Sequence, residues 1–155
     1  MRIHRLVCQQ CVEAPLGQVF EFFSRAHNLE RITPPWLRFE LLTREPVEMR
    51  IGTLIDYRLH VHGLPLRWRS RIECWEPERA FVDRQTRGPY RVWHHRHEFE
   101  ASGGGTVVRD VVHYALPLGL LGGAAHPLVR RDLKQIFDYR RAAVERLLGP
   151  SPADG

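Results

Sequence analysis

Two periodicities divide the chain. Between about residues 36 and 116 apolar and polar residues alternate, the two-residue period of strands with one buried face, whereas toward either end the apolar residues recur every three or four positions, as on amphipathic helices. The alternation is clearest over 65–76, where Leu66, Trp68, Ser70, Ile72 and Cys74 oppose Arg67, Arg69, Arg71 and Glu73. It predicts strands near 36–44, 52–62, 65–76, 79–87, 90–101 and 105–116. Turn signals separate them at Glu45-Pro46, His62-Gly63, Glu76-Pro77, Arg87-Gly88-Pro89 and Gly103-Gly104-Gly105. A further strand pattern covers 3–13.

Pro15 suits the first position of a helix, and Leu16, Val19, Phe20 and Phe23 carry that helix to about Arg25. A second short helix, about His27 to Ile32, ends at Thr33-Pro34-Pro35. A long helix is predicted from about Pro127 to Leu148, with Val129, Leu133, Ile136, Phe137, Val144, Leu147 and Leu148 as its buried stripe. The apolar, glycine-rich segment Pro117 to Ala125 reads equally as a gate over a pocket mouth and as a packed connector. A chain of 155 residues suits one domain with its own core, placed at 1–149 and followed by a disordered tail at 150–155.

The expected class is therefore α+β: a seven-stranded curved antiparallel sheet, two short helices and one long C-terminal helix. One helix cannot cover the whole concave face of such a sheet, so a cavity is expected between them.

Composition narrows the partners. The 43% hydrophobic and 26% charged fractions are ordinary globular values, and no apolar run is long enough to span a bilayer. The N-terminal residues are interrupted by His4, Arg5, Gln9 and Gln10 and lack the apolar core of a secretory signal, so a cytoplasmic location is expected. The formal charge is +5, but Lys134 is the only lysine and many arginines alternate with apolar residues as on a solvated strand face. Specific nucleic-acid binding is not expected. Cys8 and Cys11 form a C-x-x-C on a strand, where residues three apart point to opposite faces, and no second ligand pair accompanies them; with Cys74 they read as buried or half-buried thiols.

The chemistry concentrates in Gly88 to Glu100, GPYRVWHHRHEFE. Strand alternation puts Trp93, His95, His97 and Phe99 on the core face and His94, Arg96 and Glu98 on the other. A short hairpin at 87–90 sets Asp83 across from His95, Gln85 across from Trp93 and Phe81 across from His97. On the following strand Val108, Asp110, Val112 and Tyr114 are the inward set. On 52–62 that set is Thr53, Ile55, Tyr57, Leu59 and Val61, which leaves His60 and His62, with His94 and His113, facing outward. An inward polar group of Asp83, His95, His97 and Asp110 results. It can satisfy itself by hydrogen bonding, orient a ligand, act as a general acid and base, or ligate a metal. A third inward histidine is absent, and neither metal nor cofactor is expected.

Several stretches resemble the START-like (SRPBCC) superfamily with its helix-grip fold: Ala14-Pro15 to Phe23, Asn28-Leu29, Ile32 to Pro35, Phe81-Val82-Asp83 with Gln85, Gly88-Pro89-Tyr90 with Trp93, His95, His97 and Phe99, then Asp110, Tyr114 and Leu116-Pro117. They look most like the bacterial ligand-binding SRPBCC subgroup, a superfamily that includes pollen-allergen-type carriers, lipid-transfer domains and polyketide aromatase/cyclases. The resemblance implies a small hydrophobic or amphipathic ligand in an internal cavity, met by Tyr57, Trp68, Phe81, Asp83, Gln85, Trp93, His95, His97, Phe99, Asp110 and Tyr114. The alternatives are a cyclase or dehydratase using His95 or His97, with Asp83 or Asp110, as acid/base, and a protein-interaction module. Oligomeric state is not legible.

Overall fold

A computed structural model describes residues 1–117 and 119–149, with side-chain positions for all of these except 119–122. The chain runs β1 (His4–Val12), α1 (Leu16–Ser24), α2 (Asn28–Ile32), a 3-10 turn (Pro35–Leu37), β2 (Glu40–Leu41), β3 (Leu54–Val61), β4 (Leu64–Glu76), β5 (Ala80–Arg87), β6 (Val92–Ser102), β7 (Gly105–Ala115) and α3 (Gly119–Leu148). Seven antiparallel strands form one sheet in the order β1-β7-β6-β5-β4-β3-β2. The six strands from β2 to β7 form a meander, and β1 returns to pair with β7 from His4↔Tyr114 to Val12↔Thr106.

Local chemistry sets the hairpins. His62 and Gly63 both have positive φ, 49° and 81°, as do Gly103 and Gly104, at 56° and 84°. These are the two-residue turns whose twist matches the flanking strands. At the β5–β6 turn the Gln85 side chain clamps the backbone of Tyr90, donating Nε2 to its carbonyl at 2.7 Å and accepting its N–H at 3.1 Å. A Cβ at Gly88 would lie 2.5 Å from Gln85 Oε1, so the glycine makes room for the clamp.

The core has two main parts. Beneath α1, Phe20 meets Trp75, Phe81 and Phe99, and the C-terminal end of α3 adds Ala143, Val144 and Leu148. Further along the concave face Trp68, Trp93 and Tyr114 pack with Leu133 and Phe137 of α3. Asn28 Nδ2 donates to the Phe22 carbonyl at 2.8 Å and ties α2 back to α1.

The structure departs from the sequence reading in four places. The strand expected at 36–44 shrinks to Glu40–Leu41, because Pro34-Pro35 opens a 3-10 turn that Arg38 closes in the left-handed region. The next strand begins at Leu54 rather than 52: Gly52 turns at φ 93°, and Thr53 Oγ1 bonds into that loop, to Arg50 N and Glu48 O. The long helix starts at Gly119, so Pro117–Ala125 is mostly its first turns rather than a loop; Leu118 and the tail at 150–155 lie outside the described residues. Of the three thiols, Cys11 is exposed, because it lies on the solvent face of β1 opposite Cys8.

Phe20 is 6% exposed at the centre of an aromatic cluster. Phe20→Ala is expected to cost about 3–5 kcal/mol in denaturant unfolding, whereas the same truncation of exposed Leu64 should change stability by about 0.5 kcal/mol or less.

Candidate functional site

A cavity of about 510 Å³ lies between the sheet and α3. Its walls are β3 and β4 side chains of the inward set, among them Tyr57, Trp68 and Ser70, with Trp93 from β6 and Leu133 and Phe137 from the helix. Tyr57 and Trp68 stack at 5.8 Å, and Trp68 meets Trp93 edge-on at 5.3 Å. Apart from the Trp68 indole N–H, which donates to Ser70 Oγ at 3.0 Å, this part of the wall is largely apolar.

One corner is different. The β5–β6 register sets Asp83 opposite His95 and Phe81 opposite His97, and the β6–β7 register sets His97 opposite Asp110. All four polar side chains therefore meet on the concave face. His95 Nε2 lies 2.7 Å from Asp110 Oδ1, and His97 Nε2 lies 2.6 Å from Asp83 Oδ2. The second nitrogens complete a ring: His97 Nδ1 is 3.3 Å from Asp110, and His95 Nδ1 is 3.9 Å from Asp83. The imidazoles stack on each other at 3.7 Å, and Phe81 covers the outer face of His97 at 4.1 Å.

Arg140 of α3 completes the group. Its Nη2 is 3.5 Å from Asp110 Oδ1 and 3.4 Å from His97 Nδ1, and its guanidinium lies over the rings of Phe23 and Phe137. The sequence reading missed it. The signal was present: 133, 137, 140 and 144 form one helical stripe, and an arginine stands where an apolar residue was due.

Burial works against every charge here, and the partners decide the outcome. Burial pushes the His97 pKa down from 6.5, but hydrogen bonds with Asp110 and Asp83 outweigh it and the net shift is upward. For His95 burial and the charge of His97 prevail over Asp110 and Asp83, and its pKa falls. Burial pushes Asp110 up, yet Arg140 and the two imidazoles hold it well below 3.8. Asp83 is lowered in the same way, with burial outweighed by the His97 hydrogen bond and the nearby positive charges. Both carboxylates are thus held ionised by the guanidinium and the two imidazoles, and the imidazoles themselves are pushed in opposite directions. The Tyr57 phenol, pushed well above 10.0 by burial and by Asp83, stays protonated.

Asp83, His95 and His97 offer three ligand atoms within 4.8 Å of one another. The imidazole–carboxylate separations of 2.6 and 2.7 Å are those of shared protons, and the two rings stack instead of converging on a point. A metal would have to widen these contacts and displace the proton each of them shares, so the residues as placed do not fit one.

Of the sequence-derived candidates, Tyr57, Trp68, Phe81, Asp83, Trp93, His95 and His97 border the cavity. Four do not. Gln85 is spent on the Tyr90 backbone, and strand pairing stops at Arg84↔His94 before it could face Trp93. Phe99 is packed beneath α1. The Tyr114 hydroxyl pairs with His126 Nε2 at 3.1 Å. Asp110 lies behind the imidazoles and borders a second cleft on the β1 side of α3. Among the histidines expected to face solvent, His62 does so and also bonds Asp132 of α3 at 2.7 Å, whereas His60 Nδ1 is buried without a partner among the described residues.

The sequence profile of a family described as polyketide cyclase / dehydrase and lipid transport matches residues 12–138. The fold is similar to TTHA0849 from Thermus thermophilus, at 21% identity and TM-score 0.69 over 92% of this chain and 95% of that one. It is similar to CV1439 from Chromobacterium violaceum, at 13% identity and TM-score 0.74 over 96% and 99%. It also resembles major latex-like protein 151 from Panax ginseng, at 13% identity and TM-score 0.68 over 96% and 99%. At these identities the likeness establishes the helix-grip fold alone. No curated protein matches the sequence. Among the described residues no helix is long and apolar enough to cross a membrane.

Linkage fixes how the cluster responds to pH. His97, raised on folding, contributes stability that is complete below pH 6.5 and fades as pH climbs through its folded value. His95, lowered on folding, opposes this by costing stability as pH falls below 6.5. The two carboxylates contribute stability above 3.8 that is lost only as pH falls through their depressed folded values. Asp110→Asn removes the carboxylate that supports both imidazoles and Arg140. Chemical denaturation across pH should show a loss of about 3 kcal/mol or more at neutral pH. That loss should shrink progressively as the pH falls below 3.8 toward the depressed folded value.

Proposed function

The chain belongs to the polyketide cyclase / dehydrase and lipid transport family, and from that premise we propose that it binds a small, largely apolar ligand in the cavity between sheet and α3. One observation carries the reading: a cavity of about 510 Å³ with a largely apolar wall and ionisable groups gathered at one corner. That is the usual construction of a small-molecule site, where the apolar body supplies affinity and a few polar groups fix orientation. The aromatic wall of Tyr57, Trp68 and Trp93 receives the body, and the corner of Asp83, His95, His97 and Arg140 receives the polar end.

A second reading rests on two stacked imidazoles on the cavity wall, 3.7 Å apart between ring centres and each paired with a carboxylate, the arrangement by which an acid/base enzyme of cyclase or dehydratase type would orient a proton shuttle.

Native mass spectrometry of freshly purified protein tests the binding reading. A single bound apolar species at high occupancy supports it; a chemically diverse mixture at low occupancy contradicts a dedicated carrier. Leu66→Trp, which adds bulk to the cavity wall, should lower ligand affinity about tenfold or more while leaving the unfolding temperature nearly unchanged. His95→Ala separates the two readings. For a carrier it weakens binding with no turnover to lose, and for an enzyme it abolishes turnover with affinity retained.

A further inference from the structure

Arg140 is the one polar group at the cavity corner whose hydrogen-bonding capacity is mostly unspent. Its side chain is 12% exposed, held between the rings of Phe23 and Phe137, both on the cavity wall. Among the described residues only Nη2 has protein contacts: Asp110 Oδ1 at 3.5 Å, longer than the roughly 2.7–2.9 Å of a charge-assisted hydrogen bond, and His97 Nδ1 at 3.4 Å, which accepts only when that nitrogen carries no proton. A guanidinium only 12% exposed, with most of its donors free of protein acceptors, can take one from a ligand, and its planar fork matches two oxygens on one carbon. Its protein counter-ion, Asp110, is off the cavity wall, so an incoming group meets the arginine first. Asp83 does border the cavity, but the oxygen nearest the cluster is held by His97.

We propose that the polar end of the ligand is a carboxylate received by Arg140, and that seating it draws one proton from solvent onto the cluster. The inference rests on the cavity being a ligand site, as argued above. The corner already sets two carboxylates against one guanidinium and two imidazoles, so a further carboxylate adds negative charge to a poorly solvated group, which is costly unless a proton comes with it. His95 is the group placed to answer it, with Asp110 at Nε2 and Asp83 beyond Nδ1.

The groups facing the two imidazoles are Asp83 from β5, Asp110 from β7 and Arg140 from α3, with Tyr57 of β3 acting on Asp83 across the cavity. On the far side of Asp110 a second cleft of about 220 Å³ is bordered by Cys8 and Gln10 of β1 and by Asp138, Arg140 and Arg141 of α3. It gives protons a route to Asp110 and His95 while the ligand fills the main cavity.

Isothermal titration calorimetry with decanoate and with 1-decanol tests this, near neutral pH and in two buffers of different ionisation enthalpy. Decanoate is expected to bind about tenfold or more tightly than decanol and to take up about one proton per ligand, decanol none. Carboxyl-labelled decanoate should show the carbon-13 shift of the ionised form when bound. Arg140→Gln should remove about tenfold or more of the decanoate affinity and leave decanol within about twofold, which also reports that the variant is folded. Equal binding of the two probes, decanoate binding without proton uptake, or a bound carboxyl in its neutral form overturns the inference and leaves the cavity reading standing. Should neither probe bind the native protein, both fall. The comparison of probes on the native chain holds even where the variant does not fold.

Discussion

Two carboxylates on the concave face of an otherwise apolar sheet are tolerable only because three basic side chains answer them. An isolated buried carboxylate costs several kcal/mol and would ordinarily regain a proton. Here Asp83 and Asp110 do the opposite and are held below the ordinary carboxylate value, because the stacked imidazoles and Arg140 supply the charge. The cluster thus constrains the architecture around it. β5, β6 and β7 must keep one register for the ring to close, and α3 must cross the sheet at the height that brings Arg140 to Asp110.

The same crossing leaves the cavity. Toward its C-terminal end α3 is fastened to β1, with Gln10 Nε2 donating to the Arg141 carbonyl and Arg141 donating to the Gln9 carbonyl. Further toward its N-terminus Asp132 holds His62 of the β3–β4 turn, and His126 stacks on His4 and pairs with Tyr114. Between these anchors the helix spans β3 and β4 without filling the space over them, and the wall there is aromatic. Fold and site are therefore linked: the polar corner sets where the helix sits, and the helix position sets what volume remains for a ligand.

Much of this was legible in the chain because a strand has only two faces. Alternation alone sent His95 and His97 inward, and the count across a short hairpin set Asp83 opposite His95. Alternation does not report depth along a face. Phe99 and Tyr114 share the inward face with the cavity residues but lie where α1 and His126 have already claimed the space. Gln85 was lost to a backbone clamp that no periodicity reveals. Arg140 stood on the helical stripe, and its role depends on a helix-to-strand approach that only the folded chain defines. The irregular stretches on either side of β2 hid behind an apparent strand pattern, because Arg38 before it and Gly52 after it adopt backbone conformations that the hydrophobic pattern does not encode.

The central claim is that both carboxylates are ionised and are held by protons on the facing imidazole nitrogens, His97 Nε2 and His95 Nε2. Neutron diffraction from a deuterated crystal grown near neutral pH reads it directly. The account predicts deuterium on His97 Nε2 facing Asp83, on His95 Nε2 facing Asp110, and on no oxygen of Asp83 or Asp110. A deuterium residing on either carboxylate, or a facing imidazole nitrogen without one, would contradict it.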